Sequence, residues 1–177
     1  SGNVDGQVMI FGAHNNQVIG NYLGTDISGM AAPSVPGGTG VYLQQGSSGN
    51  IIGACDEFEG NVISGSDSSG ISIGFNHADN NQIACNWIGV AADGESPLGN
   101  AMYGISITES TSGSTVGNYN TIANNGAHGV YLIGEDCENH QITKNAIYNN
   151  DDGISLNLNA NNNLPAPAIT GATIGGG

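Results

Sequence analysis

The sequence contains no arginine and a single lysine, Lys144, against fifteen acidic residues, so its formal net charge is −14. A surface this negative repels polyanions, which excludes nucleic acid as a partner. Pectin-like and alginate-like glycans are disfavoured for the same reason, because their carboxylates need Arg or Lys clamps. Neutral glycans remain compatible. Aromatic residues make up only 6% of the chain, so a core must be built from aliphatics. No stretch carries helical periodicity, and no apolar run approaches the roughly 18 residues of a membrane span. Cys55, Cys85 and Cys137 form an odd set without a CxxC pair, which argues against a zinc site. Two readings of them stay open: small buried hydrophobes, or one bridge with one thiol left over.

What is abundant is glycine, 30 residues of it, set among asparagine, isoleucine, valine and threonine. That is a turn-rich, all-β composition. The segment NNQVIGNYLG at 15–24 returns as NNQIACNWIG at 80–89. Such echoes mark stacked supersecondary units. Five segments share the order Gly, aliphatic, any residue, aliphatic, beginning at Gly40, Gly70, Gly104, Gly129 and Gly153, and Gln7 to Ile10 supplies a sixth without the glycine. This alternation is a half-buried strand. A second series begins at Asn21, Asn61, Asn86, Asn120 and Asn145, and a third ends in Val18, Ile52, Ile83, Val116 and Ile142. Each unit therefore holds three short strands separated by Asn and Gly turns, which is one turn of a coil.

The anchors at 7, 40, 70, 104, 129 and 153 are spaced by 33, 30, 34, 25 and 24 residues. Unequal steps fit coils of one basic size that carry corner insertions. Coils one and three have long, matching insertions, GTDISGMAAPSVPGGT and GVAADGESPLGNAMY, and the 65-residue echo spans two coils. Asparagine at a corner tolerates the left-handed backbone region, and when successive coils repeat it the amides can hydrogen-bond up the stack. Asn21, Asn61, Asn86, Asn120 and Asn145 are thus expected as structural corners.

GNVISGSDSSGISI (60–73), NQVIGNYLGTDISG (16–29) and SGNIIGACDEFEGNVISG (48–65) resemble the right-handed parallel β-helix repeats of bacterial secreted and cell-surface proteins. The resemblance spans residues 7 to about 158. It implies an all-β, right-handed parallel β-helix of about six coils with three short strands each. The expected organisation is a β-helix over 1–163 and a C-terminal extension, 164–177, that bridges to a neighbouring subunit or domain. The chain opens inside the repeat pattern, so an export signal is expected upstream, and the expected location is extracellular or the cell surface.

The residue before each anchor glycine runs Thr39, Ser69, Tyr103, His128, Asp152. The last three offer phenol, imidazole and carboxylate on consecutive coils, the groups for acid–base work on a sugar ring. The column also accepts Thr and Ser, so turn chemistry is the favoured explanation, as it is for Asp151 beside Asp152. Two acidic groups are calcium candidates, Asp56, Glu57 and Glu59, and Glu135, Asp136 and Glu138. Neither matches an established calcium loop. No cofactor is required. His14 and His77 are scattered, whereas His140 shares the slot of Asn16 and Asn81 and is assigned a structural part. Tyr22 and Trp87 precede core aliphatics on matching coils, so they face outward to contact a glycan or another subunit, or to cover the long insertions.

No end cap is evident, and open strand edges recruit further strands. End-to-end self-association or flanking domains are therefore expected. The leading expectation is a non-catalytic extracellular structural protein, a filament subunit or an adhesin stalk. The alternatives are a carbohydrate-active enzyme, namely a polysaccharide lyase, epimerase or glycoside hydrolase, and a neutral-glycan-binding module.

Overall fold

A computed structural model describes residue 3 and residues 5–162 except 36, 58 and 109. Among these residues every strand-to-strand ladder is parallel and no helix occurs, and the chain winds as an all-β, right-handed parallel β-helix. The first sheet has six strands, Gly6–Phe11, Thr39–Gln44, Ile71–Ile73, Ile105–Ile107, Val130–Ile133 and Ile154–Asn157, stacked in chain order. The second sheet stacks Gln17–Val18, Ile51–Ile52, Gln82–Ile83, Thr115–Gly117 and Gln141–Thr143. The third stacks Tyr22–Leu23, Val62–Ile63, Trp87–Ile88, Thr121–Ala123 and Ala146–Tyr148. A fourth, two-stranded sheet of Thr111–Ser112 and Cys137–Glu138 was not visible in the repeat pattern.

Register follows the glycine anchors. Val8, Val41, Ile71, Ile105, Val130 and Ile154 pair in one row, and Ile10, Leu43, Ile73, Ile107, Leu132 and Leu156 pair in the next. With Ile52, Ile63, Ile83, Ile88 and Ile122 from the other two sheets, these rows form one aliphatic core running the length of the stack. Each full burial contributes about 1.5–3 kcal/mol, and the partly buried Ile142, Ile147 and Ile154 of the last coil contribute less. Gly40, Gly70, Gly104 and Gly129 answer to space rather than to backbone angle, whereas at Gly153, on the last coil, a Cβ would meet only Ile147 at 3.8 Å. A Cβ on Gly104 would stand 2.5 Å from Ile122 Cγ2 and 2.6 Å from Gly129 O, so the corner closes only without a side chain.

The corners carry three columns of polar side chains. In the first, Asn16 donates to Asn50 Oδ1 and Asn50 to Asn81 Oδ1, after which Ser114 and His140 continue the series. In the second, Asn21, Asn61, Asn86 and Asn120 each pass a side-chain N–H to the next Oδ1 at 2.9–3.1 Å, ending at Asn145, whose own amide donates to Val116 O. The third, Asn100 to Asn125 to Asn150, lies three or four residues before successive anchor glycines. One expectation needs correction: these asparagines do not take the left-handed conformation. That falls to the residue before most of them, Asn15, Asn80, Cys85, Tyr119, Asn124, Lys144 and Asn149 among them, with φ between 54° and 66°, whereas Gly60 and Gly99, before Asn61 and Asn100, do not take it. The division is physical: the left-handed residue turns the chain outward, leaving the next side chain aimed inward to bond its neighbours.

The cysteine alternatives resolve as well. Cys55 and Cys85 form a disulfide between coils two and three, with Cα atoms 5.2 Å apart, and only Cys137 is a free, buried thiol. The expected extension 164–177 lies outside the described residues.

Candidate functional site

A groove of about 910 Å³ runs over the outer face of the third sheet. Its floor is set by strand alternation: Leu23, Ile63 and Ile88 point inward, so their partners Tyr22, Val62 and Trp87 point outward on three consecutive rungs. Rungs repeat at about 4.8 Å, so the two aromatic positions stand roughly 9.6 Å apart with the shorter Val62 between them. One wall is the corner bearing the Cys55–Cys85 bridge, Asp56 and Tyr119, and the other is the first insertion at Thr25, Asp26 and Ile27.

The insertions hold the aromatic rings. Gly29, at φ 71°, lies so close to Tyr22 that a Cβ there would come 2.9 Å from Cε2. Gly94, at φ 75°, sits likewise against Trp87, where a Cβ would come 3.2 Å from Cζ2. Ala92 N–H donates to Gly29 O at 2.9 Å, tying the two insertions together across coil two. Tyr22 nevertheless remains 51% exposed and Trp87 38%. Covering the insertions and facing the groove are therefore compatible roles for these rings.

Asp26 is fixed by its own loop. Its Oδ1 accepts from Ser28 N–H at 3.1 Å, from Ser28 Oγ–H at 2.7 Å and from Met30 N–H at 3.3 Å. These bonds, the Ser28 hydroxyl foremost, lower its pKa below the ordinary carboxylate value and keep it ionised. No basic side chain lines the groove.

Tyr103, His128 and Asp152 come together at the corner before the first sheet. The rings of Tyr103 and His128 stack with centroids 5.6 Å apart, and His128 Nδ1 lies 3.2 Å from Asp152 Oδ2. That approach lacks the angle of a hydrogen bond, which leaves Nδ1 without a hydrogen-bonding partner. Tyr131, which sequence reasoning missed, joins the cluster at 4.7 Å from Tyr103 and 5.0 Å from His128. Its signal was its outward place in GVYL, one residue past the core valine. The groove over the third sheet includes none of these four residues.

The acidic calcium candidates do not assemble: among the described residues no three His, Cys, Asp or Glu side chains are placed to share a metal ion. Asp56 lines the groove, whereas Asp136 and Glu138 border a separate hollow of about 360 Å³ beside His77. Glu57 and Glu135 are exposed and line neither cavity, and neither does Glu59. Burial raises the pKa of the Cys137 thiol, which makes it a poor thiolate.

His140 is buried within the first corner column. Its Nδ1 accepts from Ser114 N–H at 3.2 Å, so the proton resides on Nε2 and is donated to Thr111 O, also at 3.2 Å. Burial pushes its pKa below 6.5.

Comparison with known proteins found no match to a curated protein and none to a solved structure. A family model described as "Periplasmic copper-binding protein (NosD)" matches residues 34–177. The matched stretch begins before the second strand of the first sheet and takes in all later coils, including both residues of the disulfide and Trp87. A family of periplasmic description agrees, at the coarse level, with the expectation of a chain that works outside the cytoplasm. Over most of its length, then, this β-helical chain belongs to the NosD family.

Proposed function

We propose that this chain is a non-catalytic structural module of an exported protein, a rigid β-helical segment of a surface filament or adhesin stalk. The β-helix spans 1–163 in this reading, and residues 164–177 connect it to a neighbouring subunit or domain. The observation that carries it is the use of polar side chains: the corner amides bond from coil to coil and leave one continuous, dry, aliphatic core. Such a stack is stabilised mainly by nearest-neighbour contacts, and so extends without limit of length. The interbedded disulfide fits an oxidising compartment.

Copper, named in the family's description, finds no ready site among the described residues. The available donors occur as pairs, His77 with Asp79 and His128 with Asp152, and two of the three sulfhydryls are consumed in a bridge. Copper sites draw on imidazole and sulfur donors held in a defined geometry. No step of the proposed role runs through the metal.

One observation favours a second reading, a carbohydrate-active enzyme: Tyr103, His128 and Asp152 do converge. Electron microscopy of the purified chain at rising concentration tests the first reading, which expects end-to-end rods. Dispersed single particles at every concentration count against the filament form. Hydrolysis, elimination or epimerisation of a glycan, lost in His128→Ala, would replace the structural reading with the enzymatic one.

A further inference from the structure

We propose that the groove over the third sheet is a binding site for a neutral oligosaccharide, laid across Tyr22 and Trp87. Four observations point there independently of the structural role. The first is pattern: only coils one and three carry long insertions before the first sheet, and only those coils place an aromatic ring at the outward position just before the inward aliphatic, although Tyr148 lies two residues beyond that position on coil five and Tyr119 joins the wall from coil four. Coils two, four and five have Val62, Thr121 and Ala146 at the paired positions. A surface that needed only solubility would have no reason to couple the two features.

The second is preorganisation. Gly29 and Gly94 press on one side of each ring, in left-handed conformations that other residues adopt at a cost, and the insertions are bonded to each other. Rings held in this way lose little rotamer freedom when a ligand arrives.

The third is spacing and size. Two platforms roughly 9.6 Å apart, with the low Val62 between, suit alternate sugar rings of an extended chain, stacked by their C–H faces with one ring spanning the gap. A volume of about 910 Å³ exceeds what one small ion would fill.

The fourth is polarity. The walls offer the carboxylates of Asp26 and Asp56 as hydroxyl acceptors, and Asp26 engages its own loop through Oδ1. Ionised acids without a base repel uronates and sulfated sugars, which leaves uncharged hydroxyl-rich chains as the matching class.

Trp87 is the only tryptophan, so its emission reports on the groove directly. The test is titration of the whole chain with cellohexaose, xylohexaose, mannohexaose, maltohexaose and N-acetylchitohexaose, read by Trp87 fluorescence and by calorimetry. Polygalacturonate and tetramethylammonium serve as anionic and cationic comparisons. The expected result is a saturable change in emission with at least one neutral hexamer and none with polygalacturonate. Tyr22→Ala should then weaken binding about tenfold or more, equivalent to about 1.4 kcal/mol. Trp87→Phe should retain part of the calorimetric affinity that Trp87→Ala loses, and Phe75→Ala, an exposed aromatic outside the groove, should retain all of it. Thermal melting of each variant separates lost binding from lost folding. The proposal is overturned if no neutral hexamer gives heat or a shift in emission. It is overturned equally if tetramethylammonium alone binds, or if binding persists undiminished in both Tyr22→Ala and Trp87→Ala.

Discussion

His140 replaces an asparagine in a corner column and performs the same work with a ring. It accepts from Ser114 above, donates to Thr111, and its own N–H reaches Asn161 Oδ1 at 2.8 Å. A second proton on the imidazole would have to displace the Ser114 bond in a site with little water. The folded pKa is therefore depressed, with burial the leading cause, opposed by the backbone hydrogen bonds to Thr111 and Ser114 and, least, by the charge of Asp79. For a depressed imidazole the unfolded chain binds the extra proton more readily. Stability is fully present above about pH 6.5 and falls with decreasing pH towards the folded pKa, at up to about 1.4 kcal/mol per pH unit. The expected outcome is a lower melting temperature at pH 5 than at pH 7.5, and a smaller difference in His140→Asn, which restores the usual column residue. Equal differences in the two proteins would show that His140 is not the group responsible. This structural part for His140 was legible from its alignment with Asn16 and Asn81. Its tautomer was not, because that depends on Thr111 and Ser114, which a different coil brings to it.

Strands here are two to six residues long, so the corners between them decide the stability of the element. Asn86 is fully buried, accepts from Asn61, and donates to Asn120 Oδ1, Ile52 O and Ala84 O. Its replacement by alanine orphans several buried groups at once, and each costs about 1–3 kcal/mol. Asn21 stands exposed at the start of the same column and only donates. Urea denaturation should accordingly give a loss of about 3–5 kcal/mol for Asn86→Ala but only about 1 kcal/mol for Asn21→Ala. Comparable losses at the two positions would mean that the column does not act through buried hydrogen bonds. The positions of these corners could be read from the recurring Asn-x-aliphatic signature. The left-handed residues before them could not, because Cys85, Tyr119 and Lys144 carry no intrinsic preference for that conformation and accept it under the constraint of the stack. The third column escaped notice because the coil-three insertion places Asn100 fourteen residues after Asn86, where Asn125 and Asn150 follow Asn120 and Asn145 by five.

At the scale of the whole molecule, winding and core rows were legible because the period-two pattern recurs beside each glycine anchor, and one register satisfies every coil. Groove and bridge were harder to read. The outward placing of Tyr22 and Trp87 follows from alternation, but the wall opposite depends on where residues 54–60 fold, and that loop has no counterpart in the other coils. The pairing of Cys55 with Cys85 likewise required knowing which loop returns to which rung. The bridge joins residues 30 apart in sequence. If the rod carries tension between its ends, turns on either side can peel away, yet the span between the two cysteines stays hidden from the pull. Single-molecule stretching should therefore yield a longer fully extended chain in reductant, by about 100 Å at roughly 3.3–3.6 Å per residue. An unchanged length would mean that no such link shields this span. The oxidation state of this one pair of thiols thus sets how far the backbone can lengthen under load.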